Sequence, residues 1–419
     1  MSLTVKAADA AQFLSLVPRL LGFTPTRSLV LVPMARGRSL GAMRLDLPHE
    51  DLVDTVASQA IGMMCRIAEA EALIAVVYTD EAIGSPPGAA FGLGQGGAFG
   101  DLPSLPDLPD LPGADLIDAL DAHAYACGLH LIDALTVASN GWGSHDDPDL
   151  PPGGHPLDRL RVHRAAAVAL EAAGADAVPA GDQASGATLP RVDASSRRAV
   201  ARALDALSMA LEVLCGIPSV AGGARGSAAH GDSAEEPVDR ASASARIDPA
   251  ALEAACELDD LPALFEAALT WHPSAEPMHA AMLGWCLSRP SLRDIALVQW
   301  ASDASGGDMA MEAQRRWEDG AEYPADLAEV MWGDGARPDA ERLQRALALV
   351  REVAALVPKA YRPGPLALCA WLSWALGRSS HADRYAAMAL AIDRRHGLAD
   401  IVRSFVRAGH LPDWAFRVG

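Results

Sequence analysis

The sequence predicts two architectures in succession. The first is an α/β domain with a mainly parallel sheet, an N-terminal hairpin and helices on the faces. The second is an all-α helical-hairpin domain of tetratricopeptide character. Three observations carry this expectation. Two apolar runs of strand length, Leu29 to Met34 and Leu73 to Tyr78, and a further strand, Leu129 to Ala138, alternate with segments of helical period. A stretch rich in Gly, Ala, Ser and acid, Ser219 to Ala245, then interrupts the chain. Beyond it every apolar pattern is helical.

In order, Phe13, Leu16, Val17 and Leu20 fall at helical spacing over Ala8 to Leu21, with Gly22 as the stop and Pro18 expected to kink or shorten the helix. Leu29 to Met34 is uniformly apolar and reads as a strand buried on both faces. After a turn at Ala35-Arg36-Gly37-Arg38, Met43, Leu45 and Leu47 alternate with Ala42, Arg44 and Asp46, so the two strands should form a hairpin. Val53, Val56, Ala60, Met63, Met64 and Ile67 share a helical face, as do Ile117, Leu120, Ala124 and Cys127. Strand, helix and strand in alternation imply right-handed crossovers and a sheet with helical cover.

The domain boundaries follow from composition. An α/β domain spans 1–175 and carries an insertion over 84–113, first Gly-rich and then with proline at every third position, from Pro103 to Pro112. An irregular loop follows Trp142, and a helix is expected over 157–173. A connecting helix is expected over 190–218, with Val200, Leu204, Leu207, Leu211 and Leu214 on its apolar face, then a flexible linker over 219–247 and the helical-hairpin domain over 248–419. Its last helix pair sets Trp371-Leu372-Ser373-Trp374-Ala375-Leu376-Gly377 before small residues at Ala382, Ala386 and Ala389, the pattern behind the tetratricopeptide expectation.

At 419 residues the chain exceeds what one core usually serves. A formal charge of −20 argues against nucleic acid, which requires a clustered positive surface. No apolar run reaches membrane-spanning length, and the N-terminus lacks a charged segment followed by an apolar one, so the expectation is a cytoplasmic protein without membrane contact. The six cysteines lie far apart without a C-x-x-C pair and read as reduced, buried small hydrophobes.

Four stretches together carry a resemblance: Leu20-Leu21-Gly22-Phe23-x-Pro25-x-x-Ser28-Leu29-Val30, Arg44-x-Asp46-Leu47-Pro48, Leu292-Arg293-Asp294-x-Ala296-Leu297, and the terminal pair around Ala370-Trp371-Leu372. In these the chain resembles the actinobacterial domain-of-unknown-function family 4192. The resemblance spans the chain apart from the insertion and the linker, and implies architecture without an activity. Members of that family carry, after the fourth strand, a Trp-rich segment, several cysteines and Pro-Pro-x-Gly-x-Pro. Here Trp142, Ser144 and Pro151-Pro152-Gly153-Gly154-His155-Pro156 match the frame, while Asp146, Asp147 and Asp149-Leu150 replace the cysteine-bearing part.

No residue set indicates catalysis, a cofactor or a metal. Gly92-Leu93-Gly94-Gln95-Gly96-Gly97 has the dinucleotide spacing, but does not join a strand directly to a helix. His145, Asp146, Asp147, Asp149 and His155 are suitable donors in a spacing that matches no established cage. One place remains for a ligand. If the strands run parallel, their C-terminal ends bring Asp46, His49, Asp80, Asn140 and Trp142 to one rim, and an antiparallel hairpin adds Arg27 and Ser28. The same residues fit ordinary strand-end polarity, with Asp46 pairing Arg44 or capping the next helix. The leading functional expectation is a non-enzymatic interaction or scaffold protein with a protein partner on the helical domain; the rival is an enzyme or small-molecule sensor that uses the rim.

Overall fold

Leu29, Leu31, Leu73, Ala75, Val77 and Ala134 turn to one face of a sheet, while Val30, Val32, Val76, Tyr78 and Leu135 turn to the other. That period of two, on strands apolar at every position, demands cover on both sides. In the computed structural model, which describes residues 7, 9–84, 111–160, 181–216 and 248–416, helices supply it. The GxGxxG stretch, most of the 84–113 insertion, the later part of the helix expected over 157–173 and the whole 219–247 linker lie outside the described residues. The chain divides into two units, Met1–Gly186 with Phe416–Gly419, and Ala187–Ala415.

The first unit begins with α1 (Ala10–Leu21), capped by the Asp9 carboxylate accepting from the Gln12 amide at 2.8 Å and closed by Gly22 at φ 79. Pro18 does not end the helix early: it sits in the last turn, and its carbonyl accepts from the Gly22 amide at 2.9 Å. The strands are β1 (Ser28–Ala35), β2 (Arg38–Ser39), β3 (Met43–Asp46), β4 (Ala72–Tyr78), β5 (His130–Val137) and β6 (Trp142–Ser144). Arg36 and Gly37 join β1 to β2, both with positive φ (50 and 73), as a two-residue hairpin requires. Helix α2 (Val53–Cys65) and helix α3 (Ala114–Ala126) cover the face of Leu29 and Val77, and α1 covers that of Val30 and Tyr78.

The expectation of a mainly parallel sheet is corrected by the pairing. The sheet is mixed, with order β2-β1-β4-β5-β6 and β3 also on β1; among the described strands only β4 and β5 pair in parallel. The cause is the place of the hairpin: β1 lies between β3 and β4 and runs against both. Strands β3, β4 and β5 still share a direction, so the rim remains. Edge strand β6, in the stretch expected to be an irregular loop, pairs antiparallel with β5 and bridges Trp142 to His155.

The cysteines also differ from expectation. Cys65, Cys127, Cys215 and Cys256 are exposed, and Cys286 and Cys369 are buried. Cys65 ends α2 and Cys127 follows α3, where helix termini meet solvent rather than core.

In the second unit, described by itself, the helices are α4 (Ala194–Cys215), α5 (Pro249–Glu257), α6 (Leu261–Ala268), α7 (Pro277–Leu287), α8 (Pro290–Ala301), α9 (Ala304–Glu318), α10 (Ala325–Trp332), α11 (Ala340–Leu356), α12 (Pro363–Ala375), α13 (Ser379–Leu390) and α14 (Gly397–Arg407). Val200, Leu204, Leu207 and Leu211 place α4 in the shared core of these helices. That core is built on Trp300, Trp371, Trp374, Tyr385 and Phe265, each less than 2 % exposed. Their indoles are satisfied, since Nε1 of Trp300 donates to the Phe265 carbonyl at 3.0 Å, that of Trp371 to Met331 at 3.0 Å and that of Trp374 to His410 at 2.8 Å. Where α7 meets α12 there is no room for a side chain: a Cβ on Gly364 would stand 1.9 Å from the Leu287 carbonyl oxygen. No described helix is long and apolar enough to cross a membrane.

Candidate functional site

Strand register alone sets out the rim. Asp46 lies opposite Ser28, Ser28 opposite Tyr78, Tyr78 opposite Val137 and Val137 opposite Trp142, a continuous row across β3, β1, β4, β5 and β6. Above this row, between α1 and the ends of β4 and β5, is a cavity of about 530 Å³. Leu14, Pro18, Pro25, Val137, Ala138 and Leu160 give it apolar walls. Ser15, Arg19, Thr24, Thr26, Arg27, Tyr78, Thr79 and Asp80 supply polar groups. A volume of this order suits a metabolite-sized ligand.

Two of the expected rim residues, Arg27 and Asp80, line the cavity; the others are committed elsewhere. Ser28 is fully buried, and its hydroxyl donates to the Thr26 carbonyl at 2.7 Å while accepting from Arg44 Nε at 2.7 Å. Asp46 points to solvent and pairs with Arg44, the plainer of its two readings. His49 is exposed, with Nδ1 3.5 Å from Asp51. The Asn140 amide straps the chain after β4, accepting from the Ile83 amide at 2.8 Å and donating to its carbonyl at 3.1 Å. Trp142 is buried against His155, with ring centroids 4.7 Å apart. Ser28, Asp46 and Asn140 share a physical reason: polar groups at strand ends first satisfy the chain beside them.

The lip of the cavity is held by a segment distant in sequence. Gln183 accepts from the Thr26 amide at 3.1 Å and donates to the Thr26 carbonyl at 2.9 Å, and the Thr24 amide donates to Gly181 at 3.0 Å. Between these braces and β1, Arg27 adopts a left-handed backbone, φ 46, a conformation a non-glycine residue holds only when its surroundings impose it.

Tyr78 is the residue the sequence reading passed over. It is 7 % exposed, its hydroxyl has no hydrogen-bond partner among the described residues, and it lines the cavity. Burial pushes its phenol well above the ordinary tyrosine range, so it stays a neutral O–H. The signal was present in strand parity: counting by twos from Val76 places Tyr78 on the α1 face, at the last position of an otherwise aliphatic strand.

The loop of possible metal donors is divided among protein partners. His155 Nε2 lies 3.1 Å from Asp147, and the hydrogen bond to His155 holds the Asp147 carboxyl below its usual range. His145 Nε2 lies 2.9 Å from the buried Thr136 hydroxyl, and burial lowers its pKa. Among the described residues no three His, Cys, Asp or Glu side chains converge to hold a metal.

Fold and cavity define a class: a mixed α/β unit with a partly apolar pocket on its sheet rim, followed by a helical unit. The profile of the family described as "Domain of unknown function (DUF4192)" matches residues 11–413, and the chain belongs to that family. No curated protein and no solved structure matches it.

Proposed function

We propose that the α/β unit binds a small molecule in the rim cavity and that the protein acts as a sensor or carrier of that ligand. One observation carries the reading: Tyr78, a residue 7 % exposed that lines a cavity of about 530 Å³, has a hydroxyl without a hydrogen-bond partner among the described residues. A buried donor left unmade costs about 1–3 kcal/mol, a cost a bound ligand recovers. Among the described residues the lining includes neither His nor Cys, which favours recognition over acid-base or thiol chemistry. Filling the cavity tests it. Leu14→Trp should abolish any metabolite that copurifies with the full chain in native mass spectrometry while leaving the circular dichroism spectrum unchanged; retention of that metabolite would refute the assignment.

A second reading concerns the helical unit as a partner-binding scaffold of tetratricopeptide character. What favours it is the exposure of Met309, Trp317 and Trp332 at 54, 56 and 51 %, large apolar groups of the kind that anchor protein contacts. Charged replacements of Trp317 and Trp332 should abolish a partner's binding in calorimetry without a change in thermal midpoint. A cytoplasmic location accords with both readings.

A further inference from the structure

We infer that the ligand of the rim cavity is an organic monocarboxylate with a hydrogen-bonding atom at its opposite, inner end. The inference rests on the reading of the cavity as a ligand site and adds its chemistry.

The two ends of the cavity differ. Arg27 and Asp80 are exposed and mark the open end, whereas Tyr78 is buried and marks the closed one. Among the described lining residues are two guanidinium groups, Arg19 and Arg27, and one carboxylate, Asp80, a balance of one positive charge in a protein of net −20. Arg19 is tethered, its Nη1 donating to the Ser15 carbonyl at 3.0 Å. The Arg27 side chain is exposed, lines the cavity and has no hydrogen bond or ion pair with a described residue, so its guanidinium is free to take a ligand. A planar fork of this kind matches a carboxylate.

Phosphate fits less well, for two reasons on the same surface. Phosphate sites draw on free backbone amides, but those of Thr24 and Thr26 are already given to Gly181 and Gln183. A dianion would also meet the Asp80 carboxylate. The lining also includes Leu14, Pro18 and Val137, which favour an apolar middle for the ligand. An oxygen or nitrogen at the inner end would pair the Tyr78 hydroxyl, which has no partner among the described residues.

The probe 4-hydroxybenzoate has these three parts in order. Its binding to the full chain can be followed by ligand-observed NMR at millimolar concentration, with benzoate lacking the inner hydroxyl and tyramine replacing the acid by an amine. The expected result is preference for 4-hydroxybenzoate over both, a loss of about tenfold or more in Arg27→Ala, equal affinity for the two acids in Tyr78→Phe, and no binding in Leu14→Trp. Preference for tyramine, lost in Leu14→Trp, would overturn the ligand class and leave the cavity reading in place. Binding that survives Leu14→Trp, or no binding by any of the three probes, would overturn both.

Discussion

Removing one buried hydroxyl should have opposite effects at two places in the same unit. Tyr78 and Thr136 are both buried, at 7 and 0 % exposure, on neighbouring strands β4 and β5. The Tyr78 hydroxyl has no partner among the described residues. That of Thr136 donates to the Pro112 carbonyl at 3.1 Å and meets His145 Nε2 at 2.9 Å. Tyr78→Phe deletes a polar atom whose burial is uncompensated, so the ligand-free protein should gain about 1–2 kcal/mol, within the range for an unmade hydrogen bond. Thr136→Val keeps the shape and leaves two partners unsatisfied, and should cost about 1–3 kcal/mol. Native-state hydrogen exchange on peptides covering β4 and β5 reads both changes within this unit alone. The reasoning fails if Tyr78→Phe lowers protection by as much as Thr136→Val does, because the phenol would then have a partner in the empty protein.

Three further outcomes follow from the geometry. Gly364→Ala should destabilise the helical unit by about 1–3 kcal/mol, since backbone cannot give way as a side chain can; a thermal midpoint within error of wild type would contradict it. His381 is buried beside Arg378 and Arg351, and burial first, then those charges, lower its pKa to about 4 from 6.5. The unfolded chain therefore takes up this proton first, and stability should fall as pH drops from 6.5 to 4, a slope that His381→Asn reduces in denaturant titrations. Glu266, held to about 2 from 4.5 by its hydrogen bond to Arg342, adds a separate loss that begins below pH 4.5 and runs toward 2. Thiol reagents should label Cys65, Cys127, Cys215 and Cys256 in the folded protein, and Cys286 only on unfolding, because burial pushes its thiol up to about 12; rapid labelling of Cys286 would refute its placement.

How far the sequence led depended on whether the relevant signal was local. The uniform apolarity of Leu29 to Met34 told correctly that β1 is buried on both faces, and helical spacing located α2 and α3. What it could not tell was which strand stands beside β1, since antiparallel pairing with β4 is a long-range choice that leaves no mark on either strand. The rim suffered in the same way. Arg27 and Asp80 line the cavity at strand ends that can be counted from the sequence; Asp46 pairs with Arg44, one of its two readings, while Ser28 and Asn140 turn to Arg44 and Ile83, partners that residue type does not announce. Gln183 was invisible, being 157 positions from Thr26.

The strand that comes first in the chain is bounded on both sides by later ones. A protease or gene truncation that strips the residues through Ala35 would therefore not shave an outer margin; it would remove the plank from the centre of the floor. Met43–Asp46 and Ala72–Tyr78 would then present raw hydrogen-bonding edges across a gap, ready to pair with a strand from any neighbouring molecule. Shortened forms of the protein should accordingly be found in aggregates rather than as smaller folded pieces.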